Sequence, residues 1–281
     1  MAKRDATPRM KGLPEDFFSR NDLFVAYRKA KQDVFQEKTQ ANRLAFAEYE
    51  QHLNANLAAL HSRLTSASVN WIRDLDFIGE VGFIPKDLHL PSTALESKVE
   101  PHFSQSDPDE SWERQIQAMG EEKPAVSFRP MAAFTVDMYV VCTLWVNRVG
   151  AHFDACLDKT AKGSRLRRQQ RPEETDAVGN LHLDANGSFP PYYYAYKEWR
   201  DDGLYAIRRE LKENRKAIAI TMDLTSFYHR IDARFLLDDG FLEACRFQEL
   251  SGHELTNEER LFTRQLVRAF ATWGDEYAGS S

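Results

Sequence analysis

The stretch from Val126 to Leu157 constrains the fold more than any other part of the chain. It is the most apolar run and contains no proline after Pro130. The pattern predicts a short strand over 125–129, then a buried helix from about Asp137 to Leu157. A helix that is apolar on all sides must be enclosed by other elements. Cover is available upstream. Asn21 or Asp22 can cap a helix that runs, with a break, to about Leu64. Its Phe24, Tyr27, Val34, Phe46, Tyr49, Leu53, Leu57, Leu60 and Leu64 recur at three- and four-residue steps. That helix is apolar on one face only, so it lies against its own chain or against a second subunit.

The remaining signals are shorter. Residues 1–20, with Pro8 and Pro14, read as a flexible arm. Over 66–91, Trp71, Phe77, Ile78, Val81 and Phe83 interleave with Gly79, Gly82 and Pro85, which predicts short strands and turns. Residues 100–124 and 160–190 read as polar loops. Pro190-Pro191 precedes a helix expected from about Gly203 through Leu211. AIAITMDL (217–224) is the best single strand signal, and Thr225 or Ser226 turns it into a helix near 227–237. Thr256 with Glu259 three residues on forms a capping-box pattern for a last helix through about Trp273. The class is α+β, mainly helical with a small antiparallel sheet.

Composition excludes several alternatives. No apolar run reaches the roughly 18–20 residues a spanning helix needs, so no membrane partner is expected. The basic N-terminus has no apolar stretch behind it, unlike a secretion signal. Cys142, Cys156 and Cys245 are too few and too scattered for a disulfide framework, which suits a reducing, cytoplasmic setting. The net charge is −6, against a protein coated in basic charge. The total hides a basic strip: residues 148–171 hold seven Lys or Arg against two Asp. Such a strip can grip a polyanion locally, or it can be a solvated helix end.

The sharpest chemical feature is ITMDLTSFYHRID (220–232). A carboxylate closing a buried strand is costly unless a cation offsets its desolvation, and a divalent metal does so. Asp223 is that carboxylate, with Phe227 and Tyr228 four and five residues on. A competing role is an Asp that caps the next helix beside two core aromatics.

At this motif the chain resembles the reverse transcriptases, whose first catalytic motif is a strand, an Asp, three residues and an aromatic pair. Further segments are similar in the same order. SFRPMAAFTVDMYVVCTLWVNRVGAHFDACL (127–157) resembles the fingers, and GSRLRR (163–168) resembles the element after the fingers helix. AYRKAKQDVF and EYEQHLNANLAALHSRL resemble the N-terminal helices of bacterial defence-associated and abortive-infection members. The resemblance implies an incomplete right hand: an arm (1–20), an N-terminal helical region (21–66), a fingers-like region with loop insertions (67–211) and a partial palm (212–281). It implies RNA-directed or untemplated DNA synthesis in antiphage defence. Asp223 and the Leu224 carbonyl would hold Mg²⁺, two ions being expected in the complete site. Tyr228 would pack beneath the nucleotide sugar and Phe227 beside it, with Arg129 near the nucleotide path. Arg165, Arg167 and Arg168 would contact nucleic acid, or equally form a solvent-exposed helix end. Implied partners are deoxynucleoside triphosphates, an RNA template or associated RNA, the DNA product, and a homo-oligomer or accessory protein.

The family's second carboxylate pair, Tyr-x-Asp-Asp in a hairpin, does not occur in these residues. Asp238-Asp239 lies only fifteen residues past Asp223 and reads as a helix terminus, and Asp201-Asp202 as a turn or helix start. The expectation is therefore an N-terminal portion of a larger polymerase, inactive alone. The alternative is a non-catalytic scaffold that binds nucleic acid or a partner. Other signals are weaker. The eight histidines show no i, i+4 metal pair with a nearby acid. His182 and Asp184 read as a polar turn. Tyr192, Tyr193, Tyr194, Tyr196 and Trp199 either stack on bases or form an apolar seam, the seam being favoured.

Overall fold

The computed structural model describes residues 10–36, 42–89, 113, 117, 125–169, 179–220, 222 and 231–277. Residues 1–80 and 134–281 form one compact unit, and 81–133 a second.

The second unit is a two-stranded antiparallel ladder of β1 (Gly79–His89) and β2 (Ala125–Phe134), which are the long strands on either side of an intervening segment. The strand expected at 125–129 is present and longer. Arg129 sits on its exposed stretch.

The first unit is helical. α1 (Arg20–Gln36) starts at a reciprocal cap one turn earlier than the sequence suggested: the Ser19 amide donates to the Asp22 carboxylate (2.8 Å), and the Asp22 amide to the Ser19 hydroxyl (3.2 Å). Leu23, Ala26, Tyr27, Ala30 and Val34 make its buried stripe. The helical stretch expected to Leu64 falls into three helices. α2 (Arg43–Glu50) and α3 (Leu53–Thr65) are parted at Gln51 and His52, whose amides bond back to Glu48 and Tyr49 in a tight turn. Residues 10–18 are not a free arm: Leu13 and Phe18 are buried, and the Leu13 amide bonds the Leu64 carbonyl.

A 3₁₀ turn (Trp71–Arg73) and α4 (Leu75–Ile78) follow, with the Asp74 carboxylate capping the Phe77 amide. α5 (Val136–Trp145) is the apolar helix around which the rest assembles. Thr135 caps it, accepting from the Met138 amide at 3.1 Å, and Val136, Met138, Val140, Val141 and Leu144 are buried. The helix widens into a π turn (Val146–Gly150) and resumes as α6 (Ala151–Ala155). A Cβ at Gly150 would stand 3.0 Å from the Trp145 ring, which would have to give by a few tenths of an ångström to admit it.

α7 (Tyr192–Lys212) starts eleven residues before the sequence-based boundary and buries no residue. Asp201-Asp202 lies inside it, so the pair is not a turn. The strand expected over 217–224 is not formed by its described residues 217–220 and 222, and Ile218, Ile220 and Met222 are exposed. A β-prone sequence needs a neighbouring strand to supply its ladder, and none of the described residues does so. Asp238 is a helix terminus on both sides: it closes a 3₁₀ helix (Ala233–Leu237), and its carboxylate accepts from the Phe241 amide (2.7 Å) at the start of α8 (Asp239–Ala244). α9 (Phe247–Ser251) and α10 (Asn257–Tyr277) complete the unit. The capping box forms as expected, with Thr256 amide to Glu259 carboxylate at 2.9 Å and Glu259 amide to Thr256 hydroxyl at 3.2 Å.

The core gathers α1, α3, α4, α5 and α10 around Trp71, Phe46, Met138 and Phe262. A smaller cluster of Val149, Phe247 and Leu255 lies under Trp145 and Phe153.

Candidate functional site

Asp223, Leu224, Phe227 and Tyr228 lie outside the described residues. The described flank, Met222, is 86% exposed. Arg129 belongs to the two-stranded unit, and Arg165, Arg167 and Arg168 to the helical one.

Those three arginines close onto the chain itself. Asp154, at 6% exposure on α6, is their anchor. Its Oδ1 accepts from Arg165 Nε (2.9 Å) and the Leu166 amide (3.1 Å), and its Oδ2 from Arg168 Nη2 (2.8 Å) and Nε (3.2 Å). The other guanidinium donors go to carbonyls, Arg165 to Asp158 and Ala161, Arg168 to Gly179 and Ala151. Arg167 Nε donates to the Phe189 carbonyl at 3.1 Å. The basic strip is therefore a strap tying 165–168 to α6, in which most donor positions are occupied. Residual positive charge still faces a cleft of about 1160 Å³, whose wall includes Asn147, His152, Lys159, Arg165, Arg168 and Arg246. Both side-chain amide atoms of Asn147, on the π turn, are buried without a hydrogen-bond partner. π turns of this kind recur at functional sites.

His152, which lines this cleft, belongs to a cluster that no sequence motif announces. His152 from α6 and His253, from the loop before α10, stack with ring centroids 3.7 Å apart and planes 11° from parallel. His253 Nε2 lies 2.8 Å from Glu259 Oε2, the carboxylate oxygen that the capping box already holds. Burial, and the second imidazole beside it, lower the pKa of His152. Only the capping-box signature of Thr256 and Glu259 was legible in advance. Nothing local points from His152 to a partner about a hundred residues away.

α7 presents a third surface. Tyr192, Tyr193, Tyr194, Tyr196, Trp199 and Tyr205 are exposed along it, so they form no buried seam. Lys162 Nζ lies near its Asp202 (3.1 Å) and Glu198 (3.5 Å). Among the described residues no helix is long and apolar enough to cross a membrane. Comparison with protein-family models, with curated proteins and with solved structures gives no match.

Proposed function

We propose that this chain carries part of a reverse-transcriptase-like nucleotidyltransferase site of bacterial antiphage defence, which joins deoxynucleotides by two-metal chemistry. The observation that carries the assignment is AIAITMDLTSFY, a β-prone run closing on Asp223 with an aromatic pair four and five residues later. Support comes from its context. It follows, in the expected order, a strand that carries Arg129-Pro130 and runs on to Phe134, and a capped, enclosed helical stretch through 136–155.

Asp223 and the Leu224 carbonyl are hard oxygen donors, which fit Mg²⁺ in kind. One carboxylate does not suffice for two ions, so the set is partial in these residues. Bound metal would supply charge stabilisation to the transferring phosphoryl group. The chain's own contribution is positional: Tyr228 limits the space beneath the sugar and so favours deoxynucleotides, Phe227 packs beside it, and Arg129 offers a planar donor to phosphate. The test is nucleotide incorporation by the complete gene product, wild type against Asp223→Ala. Loss of incorporation to background in the variant is expected, and equal incorporation by both rejects the assignment.

A second role is favoured by α7, a 21-residue helix with no buried residue: a non-catalytic scaffold that binds nucleic acid or a protein partner. It predicts incorporation by neither protein, with partner retention unaffected by Asp223→Ala.

A further inference from the structure

We infer that His152, His253 and Glu259 form a binding site for one zinc ion at the wall of the basic cleft. The ligand atoms of the three residues all lie within 4.8 Å of one another. Tetrahedral nitrogen and oxygen ligands at about 2.0–2.2 Å from zinc stand roughly 3.3–3.6 Å apart. Closing the remaining gap means turning the two imidazoles out of their face-to-face stack, so that their ring nitrogens converge, and replacing the His253–Glu259 hydrogen bond with two metal bonds. Two histidines and one glutamate are a ligand set zinc uses with a fourth position left for water. Of the three, His152 lines the cleft.

Three features make this more than a chance approach. Glu259 is held before any ion arrives, since its Oε2 accepts the Thr256 amide at 2.9 Å while its own amide donates to the Thr256 hydroxyl. Such outer contacts orient metal ligands and raise affinity. The three residues also come from α6, the loop before α10 and the first turn of α10, so an ion would cross-link segments far apart along the chain. Finally, Asn147 lines the same cleft one π turn before His152, and its buried amide has no partner. A water on the fourth coordination position would give it one. The site is independent of Asp223 and of the polymerase assignment.

The test uses the 281-residue chain after chelator treatment, with zinc titrated by calorimetry and cobalt by visible absorption. One zinc per chain is expected, with the ligand-field bands of four-coordinate cobalt. His152→Ala and His253→Ala should each weaken zinc binding by more than the roughly 10–100-fold that loss of an outer contact costs. Glu259→Gln, which can still cap Thr256, should weaken it without unfolding α10. His52→Ala, at an exposed turn, is the control and should bind like wild type. Circular dichroism checks the fold of each variant. If the histidine variants fail to fold, Glu259→Gln and the cobalt spectrum of the wild type decide. Absence of stoichiometric binding by the wild type, or unchanged binding in folded variants, overturns the proposal.

Discussion

α7 and α10 are both 21 residues long, both rich in aromatic and charged side chains, and opposite in fate. α10 buries Phe262, Thr263, Gln265, Leu266 and Ala269, and Trp145 donates to its Thr263 hydroxyl at 2.9 Å. α7 buries nothing, and the segment after it leaves Ile218 at 90% exposure. The difference shows that amphipathic spacing decides whether a helix forms but not whether it is covered. α10 has α4 and α5 to lie on. Among the described residues α7 has no such neighbour, and its aromatic face stays exposed.

The contrast can be broken by substitution. Phe262→Ala in α10 should cost about 3–5 kcal/mol, because the ring leaves a cavity in a packed core. Urea unfolding followed by circular dichroism measures it, and a loss under 1 kcal/mol would show that α10 is as loosely held as α7. Asp154→Ala should be of similar size, about 3–5 kcal/mol, since it strands two partly buried guanidinium groups. If stability were unchanged, Arg165 and Arg168 would be free for phosphate after all.

A smaller effect follows from Asp137, whose carboxylate accepts from the Tyr49 hydroxyl at 2.6 Å and whose pKa is raised chiefly by burial. The native state then holds this proton more tightly than the unfolded chain does. Stability from this group is therefore full at low pH and falls as pH rises from about 4 through the native pKa. Asp137→Asn keeps an acceptor for Tyr49 and should flatten that part of the urea-midpoint profile. An identical slope in the variant would assign the pH dependence elsewhere, Asp33 being the next candidate because burial raises its pKa too. Smallest of all, Trp199→Ala on α7 should change stability by no more than about 0.5 kcal/mol. A larger loss would mean that α7 is covered in solution.

Much of the local architecture was readable in advance. The strand at 125–129, the enclosed helix beyond it and the Thr256–Glu259 capping box all depend on neighbours within a few residues, so composition and spacing suffice. The less legible parts have equally physical causes. The break at Gln51–His52 has no proline or glycine to announce it, and only the return of α3 against α1 makes it necessary. The arginines at 165, 167 and 168 could be read either as nucleic-acid contacts or as a solvated helix end, because charge is visible in one dimension while Asp154, which folds back from α6 onto Arg165 and Arg168, is not.

Periodicity, capping and turn residues reach across one or two helical turns, and at that range this chain's amino acids specify α5, α10 and their ends without further information. Bringing His152 against His253 and Glu259, choosing Asp154 as the anchor for the basic strip, and burying α10 while leaving α7 bare required the packing of distant elements. Those outcomes depend on which apolar faces meet first and leave no room for others, a competition among contacts far apart along the chain that no local pattern encodes.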